Sequence, residues 1–67
     1  MSRIENWKIS KNHSGSNCIT GFIHDDNRAI DGTFLITSRV KWINFDDKVA
    51  QTQNTLYKLG EPLKEDK

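Results

Sequence analysis

The chain has few of the devices that staple or anchor a small protein. Its only cysteine is Cys18, so no intrachain disulfide can form. That fits a reducing compartment and removes the usual support of small secreted domains. Its longest apolar run is Phe34-Leu35-Ile36, far below the roughly 20 residues that a membrane-crossing helix requires. The opening MSRIENWKIS holds no apolar stretch of the kind a secretory leader needs. A cytoplasmic protein without a membrane partner is therefore expected. Length excludes a cleft between two domains, because one domain commonly takes about 100–150 residues and this chain has 67.

Apolar residues are scarce too, at 34%. Ordering a chain costs about 1.5 kcal/mol per residue, and a core this small barely offsets it without a disulfide or a metal. Two Trp, three Phe and one Tyr are also large surfaces for such a core to hide. Chains of this length do fold alone, but these features together predict a homo-oligomer.

What is present reads as strands. Lys11-Asn12-His13-Ser14-Gly15-Ser16, the stretch 25–32 and Asp46-Asp47 are turn-forming, and Gly60-Glu61-Pro62 closes the ordered part. Between them lie segments rich in β-branched and aromatic residues at 3–10, 17–24, 33–45, 48–53 and 55–59, whose lengths suit strands. Alternation agrees: Trp7 and Ile9 share a face, Ile19 and Ile23 flank Gly21, and Tyr57 is in phase with Leu59. In the third segment Phe34 and Ile36 are in phase, Thr37-Ser38-Arg39 interrupts, and Val40 and Trp42 resume, which predicts a bend or bulge. The expected fold is all-β: a single small five-stranded bent sheet, or an SH3-like or OB-like barrel. Residues 1–60 would form the one domain and 61–67 a flexible charged tail.

The net charge of +1 hides a segregation. The strand segments carry Arg3, Lys8, Arg39, Lys41, Lys48 and Lys58 against Glu5 alone, while most acids sit in the turns and the tail. A basic sheet surface can receive an anion or a phosphate backbone. The plainer alternative is that strand lysines guard edges and acids shape turns. A sequence pI near 7.9 argues against a dedicated duplex-DNA binder.

Catalytic and metal chemistry find little support. His13, Cys18 and His24 follow no metal-ligand spacing. The stretch from Asp25 to Gly32 looks like a calcium loop only until Ala29 takes a ligand position. Cys18 within a strand reads as a small buried hydrophobe. No enzyme, no metal and no cofactor is expected. Recognition remains. Thr37, Ser38 and Arg39 supply two hydroxyls and a guanidinium at the strand interruption, and Thr52, Asn54, Thr55 and Tyr57 supply polar groups at a hairpin end. Hydroxyls, freed backbone N–H groups and one Arg fork suit an oxyanion, unless these residues merely shape a bend and a turn. Trp7, Trp42, Phe45 and Tyr57 form a second candidate surface, for bases or for packing.

The order Gly21-Phe22-Ile23-His24, Asp31-Gly32-Thr33, Ile36-Thr37-Ser38-Arg39-Val40 and Thr52-Gln53-Asn54-Thr55-Leu56-Tyr57-Lys58-Leu59-Gly60 resembles a pattern in short bacterial and phage proteins of no settled function. The resemblance covers roughly residues 19–60. It implies a compact β fold in a phage or prophage setting, within the host bacterial cytoplasm, where such proteins disable host defences. The resulting expectation is a non-enzymatic protein that sequesters a small anionic nucleotide-like signalling ligand. Arg39 would pair with phosphate, Thr37, Ser38, Thr52 and Thr55 would offer hydroxyls, and Asn54 and Tyr57 would read base or ribose. The alternative is an inhibitor that binds and blocks a host defence or nucleic-acid-processing protein, with a single-strand nucleic-acid binder third.

Overall fold

A computed structural model describes residues 2–64. They form six strands: β1 (Arg3–Lys11), β2 (Asn17–His24), β3 (Thr33–Ile36), β4 (Val40–Asn44), β5 (Val49–Thr52) and β6 (Leu56–Leu59). The fold is all-β, as expected, with no helix among the described residues. The strands make one open sheet in the order β3-β2-β1-β6-β5-β4. Only β1 and β6 run parallel; every other neighbouring pair is antiparallel. Two details of the expectation change. There are six strands rather than five, and the sheet is not closed into a barrel.

The extra strand originates at Thr37-Ser38-Arg39. The Thr37 hydroxyl accepts the Ile19 backbone N–H at 2.9 Å and donates to the Ser38 carbonyl at 2.8 Å. A side chain thus takes over a ladder position, and the 33–45 segment splits into β3 and β4. These two are the opposite edges of the sheet, yet only residues 37–39 separate them. Such a linker spans at most about 14 Å, whereas the edges of a flat sheet of this order would lie about 24 Å apart. The sheet must therefore curl, which brings β4 into contact with β2 while β3 and β4 do not pair.

Two bulges re-aim side chains. In β1 the register slips between Glu5 and Lys8, with Asn6 in the left-handed region at φ 50. Gly21 lies opposite, and a Cβ there would stand 2.8 Å from the Glu5 carbonyl oxygen and 3.1 Å from the Trp7 Cα. The bulge can sit down on β2 only because residue 21 has no side chain. In β4 the register slips between Val40 and Trp42. Val40 and Ile43 consequently both pack against the core, and Trp42 turns outward at 49% exposure, breaking the phase that simple alternation assigns to Val40 and Trp42.

The core consists of Ile4, Ile19, Ile23, Ala50, Tyr57 and Leu59. Alternation gives Ile19 and Ile23 of β2 and Tyr57 and Leu59 of β6. In β1, where the bulge shifts the register, Ile4 is buried, Trp7 packs against the core and Ile9 is exposed. Cys18 is buried. Of the expected tail, Glu61 to Leu63 run on alongside β1: the Trp7 N–H reaches the Glu61 carbonyl at 3.3 Å, and the Leu63 N–H reaches the Trp7 carbonyl at 2.8 Å. Residues 65–67 lie outside the described part. No helix of the described residues is long and apolar enough to cross a membrane.

Candidate functional site

The two polar segments singled out from sequence do come together. β4 pairs Val40 with Thr52 of β5, and the Gln53 N–H donates to the Arg39 carbonyl at 2.9 Å. Ser38, Arg39, Asn54 and Thr55 therefore gather at one end of the β4–β5 hairpin. Several of their polar groups are already used, however. The Thr37 hydroxyl is spent on the backbone, as above. Thr52 is buried, its hydroxyl donating to the Thr55 carbonyl at 3.0 Å and accepting the Thr55 N–H at 3.2 Å. Tyr57 belongs to the core. Exposed Arg39 and Asn54, with half-buried Ser38 and Thr55, are what this end offers to a ligand.

A second arrangement is built by the parallel pairing of β1 with β6. A cleft of about 470 Å³ is lined by Trp7 and Phe45, with Arg3, Lys48, Lys58 and Pro62 among its other walls. The two rings stack with centroids 6.3 Å apart and planes inclined by 27°. The Trp7 indole N–H is fixed on the Gly60 carbonyl at 2.9 Å. A Cβ at residue 60 would meet the Glu5 carboxylate, the mobile end of a side chain that would have to swing aside. Glu5 in turn accepts the Glu61 N–H at 2.9 Å and pairs with Arg3. The Glu61 N–H, then the Arg3 guanidinium, hold the Glu5 carboxyl below its ordinary pKa against the opposing effect of burial.

The charges on this cleft are the unusual feature. The β1–β6 register sets Arg3 directly against Lys58, and like charges opposite one another destabilise a sheet. Lys48 joins them in the turn just before β5, where the Leu59 N–H donates to its carbonyl at 2.7 Å. Lys48 also has φ 56, a left-handed conformation that costs a non-glycine residue about 1–2 kcal/mol. Arg3 has Glu5 and Asp25 as counter-charges. Among the described residues no acid pairs with Lys48 or Lys58. Lys48 and Lys58, which no acid pairs, thus share one concave surface with Arg3 and a stacked aromatic pair.

The other acidic loop is structural. Asp26 is buried and accepts the Ser2 hydroxyl at 2.7 Å, the Arg28 N–H at 2.7 Å and two guanidinium N–H groups at 3.0 and 2.7 Å. The Arg28 side chain first, then its backbone N–H and the Ser2 hydroxyl, hold the Asp26 carboxyl far below the ordinary range, and Asp26 raises Arg28 in return. Its oxygens are fully engaged in closing the loop, which leaves none for a cation.

These observations define a small, curled, open β-sheet with a basic aromatic cleft. No family model, no curated protein and no solved structure matches the chain. The sequence had already marked the components of the cleft, as strand cations and as an aromatic set including Trp7 and Phe45. What it could not supply was their meeting, which depends on the first and last strands lying side by side.

Proposed function

We propose that this chain binds, without transforming it, a small anionic ligand carrying a flat ring, of the nucleotide type, in the cleft lined by Trp7 and Phe45. The observation that carries this reading is the opposition of Arg3 and Lys58 with strained Lys48 beside them, over a stacked aromatic pair. Phosphate groups would lie against Lys48 and Lys58, where they remove the cost of like charges, and the ring would rest on Trp7 or Phe45. The volume lies within the 300–1,000 Å³ usual for small-ligand sites. Sequestration of a signalling nucleotide in an infected bacterium is the biological role that the sequence resemblance suggests for such binding.

The test is a titration of the full chain with nucleoside mono- and diphosphates, an ADP-ribose-type dinucleotide and cyclic dinucleotides, followed by indole fluorescence in a Trp42→Phe background. Quenching of Trp7 by one of these, weakened at least tenfold by Lys58→Ala and little affected by Arg39→Ala, is the expected result. Binding that depends on Arg39 and ignores Lys58 would transfer the site to the β4–β5 end. No binding of any phosphorylated ring compound would end the reading.

A further inference from the structure

The strand registers define what the sheet shows on the side away from its core, because directly paired residues point to the same face. Ile4, Ile23 and Leu59 lie in register on the core side. The alternate positions of β6, β1, β2 and β3 face away from the core in three rows. One row holds Lys58, Arg3 and His24, the next Glu5, Phe22 and Phe34, and the third Lys8, Thr20 and Ile36. Phe22, Phe34 and Ile36 are 38%, 55% and 62% exposed, and the two rings meet edge-on at a centroid distance of 5.5 Å. A hollow of about 490 Å³ continues this face at Ile36, with Thr20, Ser10, Lys11 and His13 among its walls.

Cations stand at both ends of the aromatic strip. Strands about 4.8 Å apart and two-residue steps of about 7 Å place the backbones of Arg3 and Lys8 within about 10 Å of Phe22, one to either side along the strands. Glu5 is the one acid in the three rows, and the Arg3 guanidinium and the Glu61 N–H already engage it. Arg3 is shared with Asp25. Among the described residues no acid pairs with Lys8, Lys11 or Lys58.

We infer that this face binds single-stranded nucleic acid, with bases against Phe22 and Phe34 and phosphates against Lys8, Lys11 and Lys58. The charges select the occupant. A second copy laid face to face would bring two sets of unpaired lysines together, and an apolar protein surface would strip water from them without replacing it. A single strand brings a negative charge and a flat ring with every nucleotide, so it suits the margins and the strip together. A duplex keeps its base faces stacked inside and offers phosphates alone. Phe22, Phe34 and Lys8 do not line the cleft of Trp7 and Phe45, so the inference stands independently of what that cleft binds.

The experiment is fluorescence anisotropy of labelled oligothymidylate, oligoadenylate and a mixed-sequence duplex, each about 12 nucleotides long, titrated with the full chain at about 50 to 200 mM salt. Both single strands should bind, with a slope of log K on log salt of about −2, as three phosphate contacts give. Phe34→Ala should weaken binding at least tenfold, and Lys8→Ala should reduce the slope by about 0.7. The duplex should bind at least tenfold more weakly. No binding of either strand at about 50 mM salt would overturn the inference, and a chain that self-associates instead would give the face to a second copy. A duplex held as tightly as the single strands would overturn it too. So would binding that ignores Phe34→Ala, which would assign the strand to the cleft of Trp7 and Phe45. Should Phe34→Ala fail to fold, ring-proton NMR of the wild type decides: shifts of Phe22 and Phe34 on adding oligothymidylate support the platform, and unmoved rings refute it.

Discussion

Replacing Thr37 by Val separates a structural from a ligand-binding role at the strand break. The Thr37 hydroxyl receives the N–H of Ile19, a residue with no exposure, and passes its own proton to the Ser38 carbonyl. Valine matches threonine in shape and keeps the Thr37 N–H on the Ile19 carbonyl, but it leaves the Ile19 N–H buried without a partner. An unsatisfied buried donor costs about 1–3 kcal/mol. In a domain of this size each kcal/mol lowers Tm by roughly 4–8 °C, so Thr37→Val should melt at least about 4 °C below wild type. Thr37→Ser keeps the hydroxyl and loses a methyl group worth about 0.8 kcal/mol, so it should lie between the two. Thermal denaturation followed by circular dichroism, with ligand absent, reads the difference. A Thr37→Val protein as stable as wild type, or one no worse than Thr37→Ser, would refute the assignment of this hydroxyl to the backbone.

Other consequences follow from the same geometry. Gly21→Ala drives a Cβ into the Glu5 carbonyl and the Ile4 side chain and should cost at least about 1–3 kcal/mol, read as a lower urea midpoint; an unchanged midpoint would contradict the bulge. Lys48→Gly relieves the left-handed strain and one cation of the cleft, so it should gain up to about 1 kcal/mol of stability while losing ligand affinity. A parallel loss of both would show that Lys48 serves the fold. Because Asp26 titrates far below the ordinary range when folded, its contribution is complete above the unfolded value of about 4. It is lost as pH falls below that. Asp26→Asn should therefore flatten part of the decline in urea midpoint between about pH 4 and pH 2, the remainder reflecting Glu5; an undiminished decline would count against the Asp26 network.

Much of the fold is legible because alternation and turn chemistry act locally. The Ile19–Gly21–Ile23 spacing gives the buried face of β2, and Tyr57 and Leu59 give that of β6. Thr37-Ser38-Arg39 shows as an interruption in an otherwise apolar strand. Its consequence, a curled sheet split into six strands, depends on the Thr37 hydroxyl finding Ile19, which is a tertiary event. The bulges are less visible: Asn6 and Gly21 are permissive residues at the right places, but nothing in Lys41-Trp42 marks the slip that exposes Trp42. Lys48 in a left-handed conformation runs against its own preference and has no sequence signature. The cleft was hidden for a longer-range reason, since Arg3 and Lys58 become neighbours only through the parallel pairing of the first strand with the last.

The most direct test of the basic aromatic cleft is an amide and indole NMR spectrum of the labelled chain, recorded while the phosphorylated ring compounds above are added. Shifts centred on the Trp7 indole, Phe45, Lys48 and Lys58 are the predicted result. Shifts confined to Ser38, Arg39 and Asn54, or a spectrum that does not move, would contradict it.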